Sequence, residues 1–193
     1  MSELVVIEYV ALDGVIQAPG HSKEDEDSQF AYGGWTGPFM DDHRRYMREA
    51  FAAAGGVLLG RKTYEIFASY WPTVTDEHDD IARVLNSVPK YVVSTTLADG
   101  PWKPVTVIAD DVAARVQALK DEPGKDLLVI GSSVLAQTLM HERLVDEYRL
   151  WLHPVTLGAG KRLFRPDGPR MDLTLADARV TKSGLAVLRY RAA

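Results

Sequence analysis

A series of short apolar runs, each too brief for a helix and each separated from the next by stretches of helical period, limits this chain more than any other feature. The runs are Leu4–Tyr9, Val57–Leu59, Tyr91–Ser94, Val105–Ile108, Leu127–Ile130 and Tyr148–His153. Near-continuous apolar strands are those covered on both faces, and helical crossovers between them generate a largely parallel sheet. Between the runs, Asp42–Ala54 sets Tyr46, Met47, Ala50, Phe51 and Ala54 on one face and then meets Gly55-Gly56, which predicts a helix stopped by glycine. A second helix is expected from Asp111 to about Lys120, with Val112, Ala113, Val116 and Leu119 as its buried stripe and Asp110 or Asp111 as its cap. A third begins at Ser132 or Ser133 and turns Val134, Leu135, Thr138 and Leu139 inward, while Glu77–Asn86 is a less periodic candidate with an acidic start. Near the end the pattern changes. Leu173–Thr181 and Leu185–Arg191, joined by Lys182-Ser183-Gly184, predict an antiparallel hairpin and so a mixed sheet.

Composition narrows the classes of function. A chain of 193 residues is expected to form one compact domain over residues 1–193, burying about 70% of the surface of its unfolded form. The absence of cysteine excludes thiolate metal sites, iron–sulfur clusters, a disulfide scaffold and a thiol nucleophile. With 22 Lys and Arg against 27 Asp and Glu, a nucleic-acid partner is not expected. No apolar stretch approaches the roughly 20 residues needed to cross a bilayer. The N-terminal residues carry no secretory pattern, so a cytoplasmic location is expected. None of the histidines, His21, His43, His78, His141 and His153, is paired at metalloprotease spacing, so no metal site is expected. His78 lies in Asp76-Glu77-His78-Asp79-Asp80, which reads as the acidic first turn of a helix. No Gly-x-Ser-x-Gly elbow is present.

Three strand ends are followed by groups suited to holding an anion. Gly60-Arg61-Lys62-Thr63 follows Val57-Leu58-Leu59, Ser94-Thr95-Thr96 follows Tyr91-Val92-Val93, and Gly131-Ser132-Ser133 follows Leu127–Ile130. In a parallel sheet all three sit along the carboxyl edge, where open α/β sheets bind ligands. Backbone N–H groups at helix starts, hydroxyls and a guanidinium together suit a dinucleotide with several phosphates. For each motif alone, helix capping or plain solvation is an equally good account. Gly55 to Thr63 nearly spells a phosphate loop, but Arg61 is inserted before Lys62 and Val57-Leu58-Leu59 reads as a strand. The Rossmann fingerprint also fails, because Leu163 stands where Gly158-Ala159-Gly160 would need its third glycine. Residues 19–35, with Lys23-Glu24-Asp25-Glu26-Asp27, form a long polar loop, either a lid or a solvated surface. Trp35, Tyr64, Trp71 and Trp102 are candidates for a planar-substrate pocket, with core packing as the competing reading.

The succession Ala11-Leu12-Asp13-Gly14-Val15-Ile16, Gly60-Arg61-Lys62-Thr63-Tyr64-Glu65, Tyr91–Thr96 and Leu128–Leu135, with Val155–Phe164 following, resembles the dihydrofolate reductase superfamily. It is most similar to the branch that includes the C-terminal reductase domain of the bifunctional riboflavin-biosynthesis deaminase/reductase. The resemblance implies a three-layer fold with an eight-stranded, mostly parallel sheet, an antiparallel C-terminal hairpin and flanking helices. It also implies NADPH as cofactor, a small-molecule substrate and a homodimer. Carried over, Arg61 and Thr63, beside Gly60 and Lys62, would meet cofactor phosphates, Ser94 and Thr95 (with Thr96) the 2′-phosphate region, and Gly131, Ser132, Ser133, Val134 and Leu135 the pyrophosphate. Val10, Ala11, Val15 and Ile16 would border the nicotinamide.

Two departures stand out. Gly131-Ser132 replaces the glycine pair that dihydrofolate reductases join by a cis bond, a bond that costs a non-proline residue about 3 kcal/mol. The acid that grips a pterin has only Asp41 or Asp42 as a match, each equally readable as a helix N-cap. The resulting expectation is hydride transfer from NADPH to a small heterocycle or sugar-linked compound, with the ribosylamino-pyrimidine of riboflavin synthesis first and a pterin second. Asp13 is the candidate for orienting substrate or relaying a proton, or else a turn residue ahead of Gly14. A nucleotide-binding module without turnover, and phosphoryl transfer at Lys62, are the competing classes.

Overall fold

The computed structural model describes residues 1–76 and 79–193. Its strands are β1 (Leu4–Ala11), β2 (Ala54–Gly60), β3 (Lys90–Val93), β4 (Val105–Ile108), β5 (Asp126–Ile130), β6 (Glu147–His153), β7 (Leu173–Val180) and β8 (Ala186–Ala192). The helices are α1 (Met40–Ala52), α2 (Arg61–Tyr70), α3 (Asp80–Ser87), α4 (Val112–Asp121) and α5 (Ser133–His141). The strands join in one eight-stranded sheet of order β4-β3-β2-β5-β1-β6-β8-β7. It is parallel from β4 to β6, and only β8 and β7 run antiparallel. The mostly parallel α/β sheet with a C-terminal hairpin is therefore the observed fold. None of the helices among the described residues is long and apolar enough to cross a membrane.

The central strand β1 explains the layering. Leu4, Val6 and Val10 pack with Val116 of α4 and Leu135 and Leu139 of α5, whereas Val5 and Ile7 pack with Tyr46 and Phe51 of α1, Tyr64 of α2 and Leu85 of α3. Each strand residue therefore finds an apolar layer on its own side, which is why the run Leu4–Tyr9 shows almost no polar alternation.

Several helix boundaries differ from the sequence expectation. The first helix ends at Ala52, and Gly55 and Gly56 belong to β2, whose register against β5 shifts between Ala54 and Gly56. A Cβ on Gly55 would lie 2.7 Å from the Lys125 carbonyl oxygen and one on Gly56 3.1 Å from the Tyr91 ring, so these glycines allow strands to approach rather than stop a helix. That helix begins at Met40, which puts Asp41 and Asp42 in its first turn, where the dipole favours acids, and makes neither an N-cap. Asp111 does precede α4, but with φ +43° and no capping bond from its side chain. The cap of α3 is Asp79, whose Oδ1 accepts from the N–H groups of Ile81 and Ala82 at 3.0 Å. Glu77 and His78 of the predicted acidic start lie outside the described residues.

Candidate active site

The sheet itself creates a cleft. The chain leaves β1 for α1 on one face and leaves β5 for α5 on the other, although the two strands are neighbours. Strands that diverge to opposite faces leave a crevice at their carboxyl ends. Here the pairing of β5 with β1 stops at Ile7↔Ile130, while β6 stays paired with β1 as far as Ala11↔His153. A cavity of about 370 Å³ occupies this gap, with Glu8, Tyr9, Ile16 and Gln17 on one side and Gly60, Arg61, Lys62, Thr63, Gly131, Ser132, Ser133 and Val134 on the other. That volume falls within the usual range for small-molecule sites.

Two helices point their N-termini at this cavity. Gly60 precedes α2 and Ser132 precedes α5, and neither N-cap residue gives its helix a side-chain capping bond. First-turn N–H groups have no partner within a helix, so two adjacent starts without side-chain caps form an anion seat. The Ser132 hydroxyl is used elsewhere: it accepts from the Gly60 N–H at 2.9 Å and donates to the Ile130 carbonyl at 3.2 Å. Ser132 thus ties the ends of β2 and β5 together below the seat. Gly131 and Ser132 both adopt positive φ, +55° and +62°, and they reverse the chain across a trans bond, so the departure from the glycine pair extends to the bond itself.

Cations beside the seat are held by carboxylates of the polar loop. Lys62 Nζ meets Asp27 at 2.5 Å, and Lys161 Nζ meets Asp27 at 2.8 Å and also Asp25. Arg61 folds along α2 onto Glu65 at 2.9 Å. The two lysines draw the Asp27 carboxyl down to about 2, Lys161 being the stronger influence. Burial opposes the charge of Lys161, but Asp25 and Asp27 outweigh it and raise its pKa. The loop is also fastened by backbone: the buried Gln17 amide donates to the Asp25 and Asp27 carbonyls at 3.3 and 3.0 Å and accepts from the Lys161 N–H at 3.0 Å. Residues 19–35 therefore form a strap laid over the cleft, with Pro19, Glu24, Asp25 and Asp27 in its wall.

Other predicted residues fall elsewhere. Ser94, Thr95 and Thr96 lie beyond the cavity at the end of β3, next to Val93 in its wall, where the Ser94 hydroxyl accepts from the Thr96 and Leu97 N–H groups. Val10 and Leu135 are core residues, and Ala11 and Val15 pack with Leu157 behind the cleft. Asp13 faces the 155–160 segment, not the cavity: its Oδ2 accepts from Gly158 N–H at 2.6 Å and Leu157 N–H at 3.2 Å. Burial opposes ionisation there, but those N–H groups and Arg162 hold the carboxyl below its usual value. None of Trp35, Tyr64, Trp71 and Trp102, nor Asp42, lines the cavity. Tyr64 is a core residue whose hydroxyl accepts from the Trp102 N–H at 2.9 Å, and Trp71 packs on Phe67 and Tyr70. Trp35 donates its indole N–H to the Gln17 carbonyl, and Asp42 accepts from the Ser183 hydroxyl.

Glu8, Tyr9, Gln17 and Lys161 are among the cavity residues that sequence reasoning passes over. Glu8 did leave a signal, being the one acid inside the apolar run of a doubly covered strand. Only 3% of it is exposed, and its Oε1 has no hydrogen-bond partner. Burial first, and Glu24 second, raise its pKa well above the ordinary glutamate value, which favours the protonated form. Burial likewise raises the Tyr9 phenol. Behind the cavity, the Tyr9 ring stacks on His43 at 4.6 Å, and His43 Nε2 lies 2.8 Å from His153 Nε2. With His153 Nδ1–H donating to the Val10 carbonyl at 3.3 Å, His153 Nε2 accepts and His43 Nε2–H donates, a pattern that needs a neutral His153, while burial and His153 lower the His43 pKa to about 4.

Residues 4–187 match the RibD C-terminal domain family. The chain belongs to that family. It is 34% identical over 136 residues to Bacillus subtilis YyaP, described as an uncharacterized protein, covering 69% of this chain and 72% of that one. Among solved structures it is similar to a putative riboflavin biosynthesis protein of Shewanella sp. PV-4, at 20% identity, TM-score 0.69 and 99% coverage of both chains. A pyrimidine reductase-like protein of Corynebacterium diphtheriae matches at 15% identity and TM-score 0.62, over 100% of this chain and 92% of that one. Acinetobacter baumannii RibD matches at 16% identity and TM-score 0.67, over 100% of this chain but 58% of its own length. The fold is thus that of the RibD reductase structures, and the chain is a member of a reductase-like family.

Proposed function

We propose that this protein is an NADPH-dependent reductase of a small heterocyclic or sugar-linked acceptor, with 5-amino-6-(5-phosphoribosylamino)uracil as the first candidate. One observation carries the reading: the N-termini of α2 and α5, without side-chain caps, converge with Arg61, Lys62 and Lys161 on a cleft at the carboxyl edge of a parallel sheet. That donor set fits a cofactor with several phosphates, because dipole ends, fixed cations and the Thr63 and Ser133 side chains surround one volume. When bound, a reduced nicotinamide supplies the hydride, and the chain's task is binding, orientation and proton supply.

The roles of the residues follow from their places. The first turn of α5 and the Arg61-Lys62-Thr63 turn hold phosphate, and Ser132 fixes the distance between these two seats. Ile16 and Tyr9 provide apolar surface for a planar ring, and the strap limits water at the reacting carbon. A phosphate entering the seat must share Lys62 and Lys161 with Asp25 and Asp27. The strap then either rises or shifts its lysine contacts. Family membership and the name of the Corynebacterium relative support a pyrimidine acceptor.

Calorimetric titration with NADPH and NADH, followed by turnover assays with the phosphoribosylamino-pyrimidine and with dihydrofolate, tests the reading. NADPH is expected to bind, and Arg61→Ala to weaken it. A selective loss of NADPH over NADH places Arg61 at the 2′-phosphate, and an equal loss places it at the pyrophosphate. Absence of binding heat and of thermal protection by NADPH would defeat the proposal. Binding without turnover of any acceptor would make the chain a nucleotide-binding module.

A further inference from the structure

Building on the reductase reading, we infer that Glu8 is the general acid of this site, giving a proton to the heteroatom of the acceptor whose adjoining carbon is reduced. The argument starts from position. Glu8 follows Ile7, the last β1 residue paired with β5, so it sits where the sheet opens into the cleft. Glu8 is buried, yet it lines the cavity and its Oε1 lacks a hydrogen-bond partner among the described residues. An acid without a partner is costly in a doubly covered strand, and such groups concentrate where chemistry needs them.

The charged groups of the cavity are otherwise engaged. Asp25 and Asp27 hold Lys62 and Lys161, Glu24 accepts from the Gly20 and His21 N–H groups, and Arg61 is paired with Glu65. The Tyr9 phenol also lines the cavity, and burial makes it a still weaker acid. Burial and the neighbouring Glu24 raise the Glu8 pKa well above the ordinary glutamate value, which favours its protonated form, and no cation among the described residues is paired with its carboxyl. Glu8 is thereby loaded before an acceptor arrives.

The step balances as follows for an acceptor with a C=N bond. The π bond opens, carbon takes the hydride with its electron pair, and nitrogen takes the Glu8 proton. The acceptor is reduced, the reduced nicotinamide is oxidised, and Glu8 is left as a carboxylate until solvent returns a proton. A carboxylate at this depth is unfavourable, which drives its reprotonation before the next turnover.

The experiment has three arms on the full chain. Infrared titration of wild type and Glu8→Gln locates the carboxylic acid band of Glu8 without any ligand. Calorimetry measures NADPH affinity. Single-turnover NADPH oxidation with 5-amino-6-(5-phosphoribosylamino)uracil is followed across pH. The wild-type chain is expected to show the acid band at pH 7, and Glu8→Gln to lack it while binding NADPH with affinity similar to wild type. The variant's turnover is expected to fall by about 10²–10⁴-fold, and the wild-type rate to decline with rising pH in step with loss of the band. That last comparison needs no variant and stands even if Glu8→Gln fails to fold. An ionised Glu8 at pH 7, or a variant as fast as wild type, overturns the general-acid role and leaves the reductase reading intact. A wild-type chain that binds no NADPH overturns both.

Discussion

Acidification should weaken the fold through the histidine pair behind the cleft, and the size of the effect follows from the geometry. His43 is 1% exposed and His153 wholly buried, and their Nε2 atoms share one hydrogen bond at 2.8 Å. Burial first, and the neighbouring His153 second, lower the His43 pKa from 6.5 to about 4. Its folded pKa lies below its unfolded value, so the stabilisation from the neutral ring is complete above pH 6.5 and is lost progressively as pH falls from 6.5 to about 4. Between pH 6.5 and 5 the unfolded chain takes up a proton that the folded chain refuses, which at 1.36 kcal/mol per pH unit costs ~2 kcal/mol. His153, also depressed by burial, acts in the same direction. Glu8 acts in the opposite one, because its raised folded pKa means that the folded chain binds the extra proton. Wild-type data alone therefore mix opposing slopes, and the informative quantity is the difference between wild type and His43→Gln. Urea unfolding at pH 7.5, 6.5, 5.5 and 5 (values chosen for the assay, roughly spanning the histidine range) should show the variant losing ~2 kcal/mol less than wild type on acidification. Parallel stability–pH curves for the two proteins would refute the buried neutral pair.

Two further outcomes concern the seat and the strap. Ser132→Ala removes the acceptor of the part-buried Gly60 N–H and should cost ~1–3 kcal/mol, lowering the melting temperature by roughly 2–12 °C; a melting temperature within a degree of wild type would show that water replaces the hydroxyl at no cost. Asp27→Asn removes the charge shared by Lys62 and Lys161 and should tighten NADPH binding several-fold in calorimetry while exposing the 19–35 loop to protease; unchanged affinity would mean that the strap does not compete with phosphate.

Much of the framework was written locally. The apolar runs at Leu4, Val105 and Leu127 and the hairpin near Lys182 follow from burial on one or both strand faces, a property each segment carries by itself. The turns after Gly60 and Gly131 that line the cavity were readable too, since a strand end followed by glycine and a hydroxyl is a short-range pattern. Local pattern misled where a contact from afar decided the outcome. Gly55 and Gly56 read as a helix stop, yet the Lys125 carbonyl and the Tyr91 ring are what require them to lack a side chain. Tyr64 looked available for a substrate, but the Trp102 backbone claims its hydroxyl.

The amino-acid order alone therefore determined the layered α/β class, the edge of the sheet where the cleft lies, and the residue types gathered there, because periodicity and turn chemistry act over a few residues. Only the folded chain decided that Gln17 and Lys161 fasten the acidic loop across the cleft, that Asp13 turns away to hold the 155–160 segment, and that Glu8 Oε1 is buried without a hydrogen-bond partner among the described residues. Those facts depend on which strands become neighbours and on which face each crossover runs, and a hydrogen bond or a desolvated carboxyl exists only once distant segments exclude water together.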